Sequence, residues 1–225
     1  MPRGRRPRPW TEAAVRYALP HLPGDWLAFD GGLIRQPVGL IARGVTPQPG
    51  QPQVILHPLY LPLDAFDSGW KLGHECWIPE YFHNFRSVAE GESYMAQLVP
   101  ALRDVVIPYF EENGTLEGYL RRCRRINDGH PNGLGDVWHL FYQAATAIIL
   151  KRGDEAAECL AAVQHIASLD TDDPPPWLLT LSIQAGALRG RLLADLTGTR
   201  TLLLAGTAEQ RRRRGLPLQD EVAPS

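Results

Sequence analysis

The residues whose types best suit chemistry in this chain are His74, Cys76 and His83. An imidazole and a thiolate are both zinc ligands, and His74-Glu75-Cys76 offers one short-spaced pair, with His83 seven residues beyond the cysteine. Zinc needs three or four donors converging at about 2.0–2.3 Å, usually drawn from two short-spaced pairs. A second such pair is missing here, and Ile78 stands where an HExxH helix would place its second histidine. Cys76 beside His74, His83 or His57 also has the composition of a thiolate–imidazole pair. A chain with seven histidines offers many such combinations. The expectation is therefore that His74, Cys76 and His83 are polar loop residues, with no metal or cofactor held. No GxSxG elbow occurs. The run Gly129-His130-Pro131-Asn132-Gly133-Leu134-Gly135 lacks the preceding strand and the lysine of a phosphate loop, so it reads as a turn before a helix. Glu111, Glu112 and Glu117 fall at expected helix ends, where the helix dipole accounts for them. His139, Tyr142 and Gln143 share one expected helix, and a lone histidine there reads as structural.

The other set of reactive side chains is cationic. Of the 23 basic residues 21 are arginine, gathered as Arg3, Arg5, Arg6 and Arg8, as Arg121, Arg122, Arg124 and Arg125, and as Arg211–Arg214. A guanidinium forks onto carboxylate or phosphate, so each cluster suits an acidic partner. Overall balance is nearly neutral, at −2 from 23 basic and 25 acidic residues, which excludes a uniformly basic nucleic-acid protein. The terminal clusters read as solvated ends. In the middle cluster Leu116, Tyr119, Leu120, Cys123 and Ile126 form one stripe at helical spacing. That stripe predicts Arg121, Arg122 and Arg125 on the outer side, with Glu117 relieving Arg121 at i,i+4. These three arginines are the partner-binding candidates.

Positioning these residues falls to a chain of 225 residues, 44% hydrophobic and 21% charged, an ordinary globular composition for one domain or one domain with a helical appendage. Three cysteines are too few and odd in number for a secreted disulfide framework. The Arg- and Pro-rich N-terminus is followed by no apolar segment of signal-peptide type, and no run approaches ~20 apolar residues. A cytoplasmic setting with no membrane contact is the expectation.

Turn and cap residues divide the chain into a basic arm (1–9), an α+β domain (10–127), a helical region packed on it (136–214) and a tail (215–225). Thr11 caps a first helix over 11–18, which Pro20 stops. Three strands follow over 26–29, 33–43 and 53–61, separated by Asp30-Gly31-Gly32 and by the Pro-rich run 46–52, with Pro37 and Pro58 marking edges. They predict a small three-stranded antiparallel sheet packed by helices. Residues 64–91 hold Trp70, Trp77, Tyr81, Phe82 and Phe85 in no clear period, aromatics that read as lids on a core. Helical pieces are predicted over 93–112, kinked at Pro100 and Pro108, and over 116–127, capped by Thr115. Asp136 then caps a helix to 152, apolar nearly all round and therefore buried. Gly153 ends it, Asp154 caps the next helix over 155–168, and two more follow over 175–197 and from 199.

Two resemblances accompany these elements. The turn and second helix Lys151-Arg152-Gly153-Asp154-Glu155-Ala156-Ala157-Glu158-Cys159-Leu160 make 136–168 resemble a single tetratricopeptide-type hairpin. No second copy occurs at the expected period, so no solenoid is implied. The strands ending in Leu59-Tyr60-Leu61-Pro62, with the helix running into Val106-Ile107-Pro108-Tyr109-Phe110, resemble in layout small bacterial α+β domains of unknown function associated with polymorphic-toxin immunity. That likeness implies a non-enzymatic interaction module, immunity-like, that acts by binding another protein. It brings no functional residue with it. The alternatives are a metal-dependent or Cys/His enzyme built on the 74–83 loop, and nucleic-acid binding through the arginine clusters.

Overall fold

The computed structural model describes residues 9–29, 32–46, 53–61, 86–131, 135–169 and 174–216. The described chain forms two compact units. One takes the residues up to His57 and those from Arg86 to Gly114, and the other takes Pro58–Leu61 and the chain from Thr115. His74, Cys76 and His83 lie outside the described residues, as do residues 1–8 of the arm, 217–225 of the tail and the aromatics of 70–85.

The first unit is built on a sheet of β1 (Trp26–Phe29), β2 (Gly32–Arg35), β3 (Ile41–Thr46) and β4 (Gln53–Pro58), in that spatial order. β1–β2 and β2–β3 are antiparallel. The α+β architecture is as the sequence predicts, but the sheet has four strands rather than three. The single strand expected over 33–43 is two. Pro37 has no N–H to give a ladder, so the chain leaves β2 there and turns over 36–40 before β3. Leu33 and Ile34 point to opposite faces and both are fully buried, as are Ala42 and Val45. The central strands are thus covered on both sides.

Helix α1 (Pro9–Ala13) runs on as one wide π turn (Ala14–Ala18) and a tight turn (Leu19–His21). It starts at Pro9, two residues before the expected Thr11 cap, because proline's fixed φ suits the first helical position. Helix α2 (Val88–Ala101) likewise starts earlier than predicted. Ser87 caps it by accepting the Glu90 N–H at 3.2 Å, and the Glu90 carboxylate accepts the Arg86 N–H at 2.8 Å. This reciprocal pattern is a capping box displaced by one residue. The expected kink between Pro100 and Pro108 is a π turn (Leu102–Val106) leading into α3 (Ile107–Asn113). The wide turn lets the helix carry both prolines without ending. α2 packs on α1 at Gly91, where a Cβ would stand 2.6 Å from that of Ala13.

The second unit is helical: α4 (Leu116–Asp128), α5 (Val137–Ile149), α6 (Gly153–Leu169), α7 (Pro176–Ala194) and α8 (Leu196–Arg213). Thr115, Asp136 and Asp195 cap α4, α5 and α8 through bonds from backbone N–H groups. Every residue of α5 from Leu140 to Ile149 is buried, with α4, α6 and α8 packed around it. The predicted α5–α6 hairpin is present with a shifted turn. α5 ends at Ile149, Lys151 takes a left-handed conformation (φ 62°), and Gly153 opens α6 instead of closing α5. The segment after β4 joins this unit: the buried Tyr60 hydroxyl is 2.8 Å from Thr146 Oγ1, and Gln210 Nε2 donates to the Leu61 carbonyl at 3.1 Å. Among the described residues no helix is long and apolar enough to cross a membrane.

Ile148 is fully buried in α5, and truncating such a side chain removes both transfer energy and packing. Ile148→Ala is expected to lower unfolding stability in urea by about 2–5 kcal/mol. Ile183→Ala, at an exposed position of α7, should stay within about 0.5 kcal/mol of the parent. Equal midpoints for the two variants would show that α5 is not the core.

Candidate functional site

The four arginines of α4 have three kinds of surroundings. Arg121 and Arg125 are exposed, one turn apart. Arg122 is 2% exposed, with its guanidinium carbon 5.8 Å from the centre of the Tyr119 ring. Its predicted outward direction is therefore wrong. Position 122 is i+3 from Tyr119 and i−4 from Ile126, so it shares their face, and the covered side of α4 is wider than its apolar stripe. Arg124 is turned inward to Glu155 of α6, with Nε and Nη2 donating to the two carboxylate oxygens at 2.7 and 2.5 Å. Glu117 does not serve Arg121 as expected. Its carboxylate accepts from Arg152 Nη2, at 2.9 Å to each oxygen.

Arg124 is one end of a polar chain through the three helices. Glu155 Oε1 also accepts from Gln143 Nε2 at 2.9 Å, Gln143 Oε1 accepts from Asn127 Nδ2 at 2.7 Å, and Asn127 Oδ1 accepts the Asp136 N–H at 3.2 Å. Burial alone would raise the Glu155 pKa. The bonds from Arg124 and Gln143 and the charges of Arg124 and Arg152 outweigh it, so the carboxyl sits below its usual range. Asp136 repeats this balance: burial pushes its pKa up, while His139 and the N–H groups of His139 and Trp138 bring it below the ordinary value.

Two other described candidates for chemistry, His139 and Cys159, are closed. His139 Nδ1 lies 2.7 Å from Asp136 Oδ1, the carboxylate–imidazole arrangement of a general base. Its Nε2, the atom that would take the proton, is occluded from solvent and has no hydrogen-bond partner among the described residues. The pair thus belongs to the cap of α5. The Cys159 thiol is pushed up to about 12 by burial, with the Glu155 and Glu158 charges adding to it, which removes the thiolate a nucleophile needs. Among the described residues no group of three or more His, Cys, Asp or Glu is placed to hold a metal ion.

What stands open in this unit is the outer side of α7. Leu178, Leu181, Ala185, Leu188 and Leu192 form its buried stripe. On the opposite side Leu179, Ile183 and Leu193 are 46%, 73% and 66% exposed, with Ala187 and Gly190 between them on the same face. At the start of the helix the half-exposed Trp177 stacks on Trp138 with ring centres 5.3 Å apart. Near its end Arg191, Ala194, Asp195, Gly198, Thr199 and Leu202 line an open depression of about 370 Å³ where α7 meets α8. The expectations from sequence placed a helix here but assigned it no face. The signal was present: apolar residues occur on both sides of the helical wheel, with only Arg189 and Arg191 charged.

Glu155 and Asp136 tie the acid stability of this unit to their depressed pKa values. A depressed carboxyl adds stability above its unfolded pKa of about 4 and loses it as pH falls through the folded value. Glu155→Ala is expected to cost about 1–3 kcal/mol at neutral pH. The gap between variant and parent should narrow below about pH 4, as both states protonate. Urea titrations at several pH values check this, and a gap that stays constant to pH 2 would exclude Glu155 as the clamp. Compared with protein-family models, with curated proteins and with solved structures, the chain matches none.

Proposed function

We propose that this protein is a non-enzymatic binding module that works by holding another protein, and that the outer side of α7 is the docking face. The observation that carries this reading is the row Leu179, Ile183, Leu193 on a helix whose opposite side is already filled. A helix apolar on both sides leaves apolar surface in water until both are covered. From Leu179 to Leu193 the row spans about 21 Å at 1.5 Å per residue, the length of a short partner helix. Its complement carries acidic residues beside an apolar stripe, because α7 has Arg189 and Arg191 and no carboxylate. The depression beside Leu202 at one end supplies a concave feature of the kind on which binding energy concentrates. Arg121 and Arg125 add exposed positive charge that speeds the approach of an acidic partner.

Ile183→Glu combined with Leu193→Glu should leave the melting temperature unchanged, since both sites are exposed. Affinity purification from the native cells, compared quantitatively between parent and variant, is expected to show one protein reduced at least about tenfold, or about 1.4 kcal/mol. Identical recoveries overturn the proposal. So does a parent that is dimeric by light scattering while the variant is monomeric, which would give the face to a second copy of the chain. With the partner in hand, Arg121→Ala/Arg125→Ala should slow association several-fold at low salt and leave dissociation nearly unchanged.

A further inference from the structure

In the first unit, Trp26 of β1 lies opposite Arg35 of β2. Leu33 pairs with Val45 and Ile34 with Gly44; extended one step past these pairs, that register sets Arg43 of β3 beside Arg35, and the charge of Arg35 acts on Arg43. Residues directly opposite across antiparallel strands share a face. Trp26, Arg35 and Arg43 therefore form a row over three strands. α3 and the residue after it run along this row. Phe110 is 6.4 Å from Trp26 between ring centres, and Glu111 Oε1 accepts from Arg35 Nη2 at 3.1 Å. At Gly114 a Cβ would stand 2.5 Å from Arg43 Cδ, so the backbone lies directly on the arginine stem. Trp26 Nε1 donates to the Pro23 carbonyl at 3.0 Å, which fixes the ring.

Like charges opposite one another destabilise a sheet, and here two guanidiniums meet with one carboxylate between them. That carboxylate is the weaker partner in burial: the Glu111 side chain is 62% exposed, the Arg35 side chain 17%. Arg43 donates to a neutral group, the Pro37 carbonyl, at 3.0 Å. Arg35 Nη1, Arg43 Nε and the neighbouring Gln36 Nε2 are buried with no hydrogen-bond partner among the described residues. The Arg43 pKa is lowered, first by burial and then by the charge of Arg35, with Glu111 acting the other way. The C-terminal end of α3 adds only a fraction of a negative charge. Counted over the described residues, the row keeps one net positive charge beside an aromatic surface, with both arginines partly open to solvent.

We infer that this row is a binding site for a carboxylate, held between Arg35 and Arg43 with its apolar body against Trp26. One carboxylate brings the two guanidiniums and Glu111 to neutrality. A phosphate group, at about −1.5 to −2, would leave excess negative charge beside Glu111. A guanidinium fork also matches the planar pair of carboxylate oxygens.

Benzoate is the probe, titrated into the full chain and followed through the arginine Nε–Hε NMR signals, with inorganic phosphate at matched ionic strength as comparison. Saturable shifts with a Kd of about 1 mM are expected, and binding at least about tenfold weaker to Arg43→Gln. Glu111→Gln keeps the fold, since that side chain is exposed, and should bind benzoate several-fold more tightly by removing the competing carboxylate. Tighter binding is an outcome that a purely structural arginine pair would not give. Absence of shifts at about 50 mM benzoate, some fifty times that Kd, overturns the inference. So do equal affinities in parent, Arg43→Gln and Glu111→Gln, or a stronger response to phosphate than to benzoate.

Discussion

A helix that is apolar on every side needs neighbours on every side, and α5 sets that condition for the helical unit. Its residues from Leu140 to Ile149 are all buried. α4 and α6, its neighbours in sequence, cover two sides through short connections. The third side is closed by α8, which returns to α5 from the far end of the chain. Arg200 of α8 donates to the Ile149 carbonyl at 2.8 Å, satisfying a backbone acceptor that the end of α5 leaves open. This return decides the position of α7. It packs on α6 and α8, so only one of its apolar sides is filled. The open face of α7 is thus a consequence of how α5 is enclosed.

Enclosing α5 also buries the polar groups it carries. Gln143 and Thr146 are buried, and a polar group left unsatisfied there costs about 1–3 kcal/mol. Thr146 Oγ1 donates back to the Tyr142 carbonyl at 2.6 Å and meets the Tyr60 hydroxyl, whose pKa burial holds well above its usual value. Gln143 is satisfied from both neighbouring helices, by Asn127 of α4 and Glu155 of α6. Glu155 is then a half-buried charge and requires Arg124. Each partner follows from the one before it, so Arg124 is committed to structure, while Arg121 and Arg125 lie exposed on the outer side of α4.

Features that depend on neighbouring residues were legible in the sequence. The α+β class, the α5–α6 hairpin and the caps at Thr115 and Asp136 each follow from a turn residue or a periodic stripe a few positions long. Boundaries were harder where two signals compete. Ser87 and Glu90 start α2 ahead of the expected residue 93, inside a run of glycines and charges that hides the periodicity. Pro37 marks an edge by the sequence rules, but its missing N–H goes further and separates β2 from β3. The side-chain roles were the least legible, because they are settled by distant partners. Arg122 shares the face of Tyr119 and Ile126 by helical spacing, but its charge argued for the outer side, where its neighbour Arg121 is exposed. The bonds of Arg124 to Glu155 and Arg152 to Glu117 span 31 and 35 residues.

Several places in the described chain run against the rules that most of it obeys, and two of them are the sites proposed above. The helix starts at Ser87, Thr115, Asp136 and Asp195 are capped, Glu155 and Asp136 have partners enough to offset their burial, and β2 and β3 are filled on both faces. Against that background, Arg35 opposite Arg43 is a like-charge pair with one carboxylate, and α7 is an apolar helix with one side in water. A sequence consistent at most levels departs from consistency where another requirement acts on it. The departures differ in kind. Among the described residues the arginine row is short of one negative charge, and the outer side of α7 is short of apolar cover. A small anion answers the first but does nothing for α7, and a partner helix answers the second without needing the arginine row. Loss of either ligand should therefore leave the other site working, because no residue of the row belongs to the helical unit and no residue of α7 belongs to the sheet.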